Sequence, residues 1–182
     1  MRKVTAGLFH SLDGAVEAPD QWQFDSFDDE LGALLGKTLA TTDTVVLGRV
    51  GYEEWAGFWP GAEFDDDFKT FINAAPKHVA SRTLIGTLAW NNARLIDGDL
   101  LDFVRALKAQ DGRDIAVMAS ISLVRQLFLA GLLDELTLIT HPVVAGGKYR
   151  RLFDGAETAQ LELIRNEVTS KGNVVSTYRL KP

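Results

Sequence analysis

The segment Val45-Val46-Leu47-Gly48-Arg49 constrains the fold more than any other part of the chain. An apolar run leads straight into a glycine and a cation, and then into Val50-Gly51-Tyr52-Glu53-Glu54-Trp55. It reads as a buried strand that ends on Gly48 and turns at once into a short helix. A helix start gathers unpaired backbone N–H groups at the positive end of the macrodipole, so it attracts anions. Gly48 lets a ligand approach the backbone closely. Arg49 adds a planar fork of donors that matches a phosphate.

The same strand-to-helix turn recurs along the chain. Lys3–Phe9 reads as a strand that stops at Ser11-Leu12-Asp13-Gly14. A helix with an acidic first turn begins near Ser26 to Asp28 and carries Leu31, Leu34 and Leu35 on one face. After the Thr44–Leu47 strand come helices over Tyr52–Trp59 and Phe64–Ala74, then strands over Lys77–Ala80 and Arg94–Ile96. A helix capped by Asp97 or Asp99, a strand over Asp114–Met118 and a helix capped by Ser120 or Ser122 follow. The last elements are a strand over Leu136–Val144 and a hairpin of Leu161–Thr169 with Val174–Leu180 around Lys171-Gly172-Asn173. The order β-α-β-α-α-β-β-α-β-α-β-β-β predicts one α/β domain over residues 1–182. Its architecture is three-layer αβα, with a mostly parallel mixed sheet and a C-terminal antiparallel hairpin.

Ligands in such sheets bind outside the carboxyl ends of the strands. That rule singles out Ser11 to Gly14, Gly48-Arg49, Ser81-Arg82-Thr83 and Ala119-Ser120-Ile121-Ser122. Each is an ordinary turn or N-cap if taken alone; together they outline one anion-binding edge. Ser81 and Arg82 suit a phosphate monoester such as a 2′-phosphate.

Composition narrows the function. With 19 basic and 25 acidic residues and a net charge of −6, the chain lacks the basic footprint of a nucleic-acid binder. It has no cysteine, and its three histidines, His10, His78 and His141, are far apart, so no metal site is expected. The longest uninterrupted run of apolar residues and glycine, Leu127 to Leu133, is too short to span a bilayer, so no membrane partner is expected. Met1-Arg2-Lys3-Val4 does not lead into a secretory leader, because His10, Ser11 and Asp13 interrupt the apolar stretch; a cytoplasmic location is expected.

Further segments carry a family likeness. They are Ser11-Leu12-Asp13-Gly14, Val46-Leu47-Gly48-Arg49 with Tyr52, and Val79-Ala80-Ser81-Arg82-Thr83-Leu84. Ala130-Gly131-Leu132-Leu133-Asp134-Glu135-Leu136, His141-Pro142-Val143-Val144-Ala145-Gly146-Gly147 and Arg151-Leu152-Phe153 complete the set. The chain resembles the dihydrofolate reductase-like superfamily, in the branch of the reductase domain of the bifunctional riboflavin-biosynthesis deaminase–reductase. The resemblance implies an NADPH cofactor, a small-molecule substrate and a homodimer. It puts Gly48 and Arg49 at the cofactor phosphates, Ser81 with Arg82 at the adenosine 2′-phosphate, and Thr83 and Ala119 among the cofactor-binding residues. Ser120, Ile121, Ser122 and Leu123 fall at the pyrophosphate, and Ala6, Leu12, Asp13 and Gly14 beside the nicotinamide. The family usually has glycine where this chain has Met118-Ala119-Ser120.

Folate-type enzymes carry a carboxylate on the first helix, for which Glu30 is the nearest candidate; Asp13 is the other carboxylate expected at the pocket. Trp22, Phe24, Trp55 and Trp59 are candidates for an aromatic wall against a flat heterocycle, and core packing is the competing role. The expected activity is NADPH-dependent reduction of a small heterocyclic or carbonyl substrate. The alternative is a non-catalytic nucleotide-binding or dimeric scaffold protein of the same fold.

Overall fold

The computed structural model describes residues 1–64 and 66–181. Its elements, in chain order, are β1 (Val4–Ser11), α1 (Asp29–Thr41), β2 (Thr42–Gly48), α2 (Arg49–Phe58), α3 (Asp67–Ala74), β3 (Lys77–Ala80) and β4 (Ala93–Leu95). There follow α4 (Leu100–Lys108), β5 (Asp114–Met118), α5 (Ile121–Leu129), β6 (Glu135–His141), β7 (Leu161–Val168) and β8 (Val174–Leu180). The order matches the pattern read from the sequence. The eight strands form one sheet in the order β4-β3-β2-β5-β1-β6-β8-β7. The first six in that list are parallel; β8 runs antiparallel to β6 and to β7.

Side-chain alternation sorts the core into layers. Val46 on β2, Val4 on β1 and Ile115 and Val117 on β5 meet Val104 and Leu107 of α4 and Val124, Leu127 and Phe128 of α5. On the opposite face Val45, Leu47 and Val79 meet Tyr52 of α2 and Ile72 of α3, while Ile139 and Val175 meet Leu31 of α1. β2 is therefore buried on both faces, as its unbroken apolar run requires.

Boundaries moved where caps or packing decide them. Asp28 caps α1 by accepting from the Leu31 N–H (2.8 Å), so the helix starts at Asp29. Asp99, not Asp97, caps α4, and Ser120, not Ser122, caps α5. The helix expected from Phe64 starts at Asp67, capped by Asp66; Asp65 lies outside the described residues. β6 stops at His141 rather than Val144, because Pro142 has no N–H to continue the ladder.

One buried charge stands out. Lys77, at the start of β3, is fully buried. Its Nζ donates to the carbonyls of Ile72 and Ala75 (2.7 Å each) at the negative end of α3, and sits 4.6 Å from the Trp90 ring centroid. Burial pushes the ammonium down to about 8, so it stays charged at neutral pH.

Candidate active site

The four strand ends singled out from sequence belong to β3, β2, β5 and β1, which are consecutive neighbours in the sheet. Because these strands are parallel, all four carboxyl ends open on one edge. At ~4.8 Å per strand the edge spans roughly 14 Å.

At its centre two helix starts abut. α2 follows β2 without a gap, and its N-cap, Gly48, offers no side-chain cap. α5 follows β5 through Ala119 and Ser120, and the Ser120 hydroxyl accepts from the Leu123 N–H (3.4 Å). A Cβ placed on Gly48 would lie 2.5 Å from Ser120 Oγ, and one on Gly51 would lie 2.1 Å from the Ala119 carbonyl oxygen. The absent side chain of Gly48 thus makes room for the neighbouring turn. That is a different reason for glycine from the ligand approach expected from sequence. Gly51 is a further member of the site that the motifs do not mark, although its place two residues after Arg49 is visible in the sequence. Together the two glycines set two positive helix ends side by side.

Ala119 sits at φ +48, a left-handed backbone that favours glycine. This is the tripeptide where the resemblance leads to an expectation of glycine. The turn keeps the glycine-like path and carries the strain of an alanine in it.

The remaining candidates fall into place around this centre. Arg49 is exposed and ion-paired with Glu53 one helical turn on (2.7 Å). Ser81 accepts from the N–H groups of Thr83 (3.1 Å) and Leu84 (2.9 Å), which fixes the turn after β3. Arg82 and Thr83 are exposed on that turn, and no ion pair to Arg82 occurs among the described residues. Ile121 and Ser122 form the first turn of α5, whereas the Leu123 side chain belongs to the core. Ala6 is not brought to the edge. It is 4% exposed in the main core, and five residues before Ser11 it lies roughly 16 Å back along β1.

On the β1 side, Leu12 is exposed and its N–H donates to the Val143 carbonyl (2.8 Å). The Asp13 carboxylate accepts from Ser11 Oγ (2.7 Å) and from the N–H groups of Ala145 and Gly146 (2.9 Å each). These bonds, the serine's first, hold it down at about 2. Gly14, at φ +94, lets the chain turn against Arg151, whose Nε donates to the Asp13 carbonyl (2.9 Å). Glu30 accepts from the Ser170 N–H (2.5 Å) at the β7–β8 turn, and hydrogen bonding to Ser170 lowers its pKa.

Sequence reading missed the network that joins these parts. His141 is fully buried between Asn173 and Gln23. Its Nδ1 lies 2.6 Å from Asn173 Oδ1 and its Nε2 lies 3.0 Å from Gln23 Nε2. An Nδ1–H donor and an Nε2 acceptor, assigned from these partners, make a neutral ring. Burial lowers its pKa, in agreement. Asn173 in turn donates to the Ser26 carbonyl (2.7 Å) and to Asp28 (3.0 Å). The Lys171-Gly172-Asn173 turn signal was readable; its partner across the sheet was not.

A model of the RibD C-terminal domain matches residues 2–176. The chain belongs to the RibD C-terminal domain family. It is 28% identical over 181 residues to YyaP of Bacillus subtilis (strain 168), covering 97% of this chain and 94% of YyaP. In fold, this RibD C-terminal domain is similar to a pyrimidine reductase-like protein from Corynebacterium diphtheriae. The TM-score is 0.71 at 14% identity, over 100% of this chain and 92% of that one. It is also similar to dihydrofolate reductase from Enterococcus faecalis complexed with NADP(H), with a TM-score of 0.63 at 12% identity over 99% of this chain and 97% of that one. The dihydrofolate reductase-like fold is thereby established. For the RibD-type chain, no helix among the described residues is long and apolar enough to cross a membrane.

Proposed function

We propose that this chain is an NADPH-dependent reductase of a small heterocyclic or carbonyl substrate. The observation that carries the reading is the pair of abutting helix starts at Gly48 and Ser120, set between the Arg82 turn and the Asp13 loop along one strand edge. The donor set fits a polyanionic dinucleotide. The first N–H groups of α2 have no side-chain cap, α5 adds a second positive helix end, and exposed Arg82 with Ser81 and Thr83 suits a 2′-phosphate. Family membership and a fold similar to a dihydrofolate reductase complexed with NADP(H) support the same assignment.

When bound, NADPH supplies the hydride. The protein's part is orientation. Asp13 ties the loop after β1 to the Ala145-Gly146 backbone, and Arg151 clamps the same loop from outside. Both candidate carboxylates are held ionised at neutral pH by their hydrogen bonds, so we assign Asp13 and Glu30 as positioning residues. The electron pair released on the substrate heteroatom takes its proton from solvent. Ionised, neither carboxylate offers a proton, which also favours a second reading, a nucleotide-binding protein without turnover.

Titration with NADPH, followed by fluorescence or calorimetry, tests the first reading; no binding at millimolar cofactor sinks both. Binding without NADPH oxidation across a broad panel of carbonyls and heterocycles favours the second. We also propose a homodimer. The outer strand β7 leaves Leu163, Ile164 and Val168 exposed on an open sheet edge, a surface of the kind a second copy covers. A monomer mass in sedimentation at micromolar concentration refutes it.

A further inference from the structure

Of the four aromatic residues considered for a substrate wall, the fold leaves one in the open. Trp22 is 2% exposed, and Trp55 and Trp59 pack on Phe68 in the core beside α2 and α3. Phe24 is 80% exposed, with φ at +49. It occupies the second position of a turn closed by the Ser26 N–H on the Gln23 carbonyl (3.2 Å), a place where a positive φ calls for glycine or asparagine.

The base of that turn is held firmly. Ser26 is buried and donates to the Gln23 carbonyl (2.6 Å), Gln23 bonds His141, and Trp22 Nε1 donates to the Glu17 carbonyl (2.8 Å). His141 ends β6 and pairs in register with Ser11, the end of β1, so the turn stands over the carboxyl edge beside the Asp13 loop. A strained backbone that presents a bare aromatic ring on a rigid base is a functional signature.

The electrostatics of this region are one-sided. The stretch from Leu12 to Glu30 that carries the turn holds seven acidic residues and no lysine or arginine, against four nearby cations from outside it. Lys171 reaches Asp25, Arg150 pairs with Glu17 (2.6 Å), Arg151 holds the Asp13 carbonyl and Lys148 lies over the Tyr149 ring (4.8 Å).

We infer that the Gln23–Ser26 turn is the substrate-recognition element, with Phe24 stacking on a flat ring that is uncharged or cationic rather than phosphorylated. The inference rests on the reductase reading above and names its substrate class.

The test uses the full chain saturated with NADP⁺ and calorimetric binding of three probes: menadione, pyridoxal and pyridoxal 5′-phosphate. The wild type is expected to bind menadione, and to bind pyridoxal at least tenfold more tightly than its phosphate ester. Phe24→Gly should raise the melting temperature by relieving the turn, yet weaken menadione at least tenfold; Phe24→Trp should stay within threefold of wild type. Four results overturn the inference: no menadione binding by the wild type, menadione affinity unchanged in Phe24→Gly, tighter binding of the phosphate ester, or a changed sedimentation mass in the Phe24 variants. A failure of NADP⁺ itself to bind overturns the reductase reading instead, and menadione titrated into the free protein then still tests the turn.

Discussion

Replacing Ala119 by glycine should stabilise this protein, although it removes a side chain. The residue sits at φ +48, where an L-residue with a Cβ loses about 1–2 kcal/mol. Glycine gives back about 0.4–1 kcal/mol through the freer unfolded chain. The methyl is half-buried, and its loss removes about 0.4 kcal/mol, half of the ~0.8 kcal/mol of a fully buried methylene. The balance is a gain of about 0.5 kcal/mol, or roughly 1–2 °C in Tm for a chain of this size. Ala119→Val gives the sharper contrast. A β-branched residue in a left-handed backbone, with Gly51 close by, should lose more than about 2 kcal/mol. Urea denaturation of wild type and both variants, fitted with a common slope, reads the difference of about 3 kcal/mol between them. NADPH affinity should survive in Ala119→Gly, since the turn already follows the glycine path. A valine variant within about 0.5 kcal/mol of wild type, together with a destabilised glycine variant, would refute a left-handed Ala119 and the reasoning built on it.

Other perturbations probe the same edge and the buried lysine. Gly51→Ala drives a Cβ to 2.1 Å from the Ala119 carbonyl, so it should lose about 2 kcal/mol or more in urea denaturation and weaken NADPH by an order of magnitude. Adding Ala119→Gly should not rescue it, because the obstructing atom is backbone. Arg82→Ala should raise the Kd for NADPH about tenfold and leave NADH unchanged, corresponding to one charge-assisted hydrogen bond at an exposed site; equal losses for both cofactors would remove Arg82 from the 2′-phosphate. Lys77 has its folded pKa lowered from 10.5 to about 8, so between those values the unfolded chain holds the extra proton and stability rises with pH. The rise should reach about 3 kcal/mol by pH 10.5 and be missing from Lys77→Met, as urea midpoints at pH 7.5 and 10.5 will show. Asp13→Asn should lower turnover while NADPH affinity holds. The Asp13 carboxyl should titrate near pH 2 by NMR, and the loop it anchors should loosen only as pH falls from about 3.8 toward that value.

The element order was legible because each strand is an apolar run and each turn is marked by glycine, serine or aspartate. The turn from β2 into α2 at Gly48 was legible as well. The contact beside it was not: Gly51 lies against Ala119, about 70 residues on in the chain, with no room for a Cβ between them. The four strand ends were readable singly as strand-to-helix turns. That they are consecutive in the sheet follows from β5 entering between β2 and β1, which no local pattern encodes. The pairing of His141 with Asn173 escaped for the same reason: a histidine at a strand end reads as hydrogen-bonded, but its partner is fixed only when β6 and β8 pair. Ala6 was carried by likeness to a family position, and burial in the main core sets it apart from the edge.

The insertion of β5 also has a consequence for how the protein is made. A nascent chain that has emerged only as far as Ala80 contains β1, β2 and β3, but nothing to stand between β1 and β2. Until Asp114–Met118 leaves the ribosome, two apolar strands keep open edges, and β1 gains its other neighbour only with Glu135–His141. The cofactor edge therefore assembles late and all together. Chains truncated before β5 should be protease-sensitive along their whole length, and synthesis should depend on chaperones that shield those strands through more than half of translation.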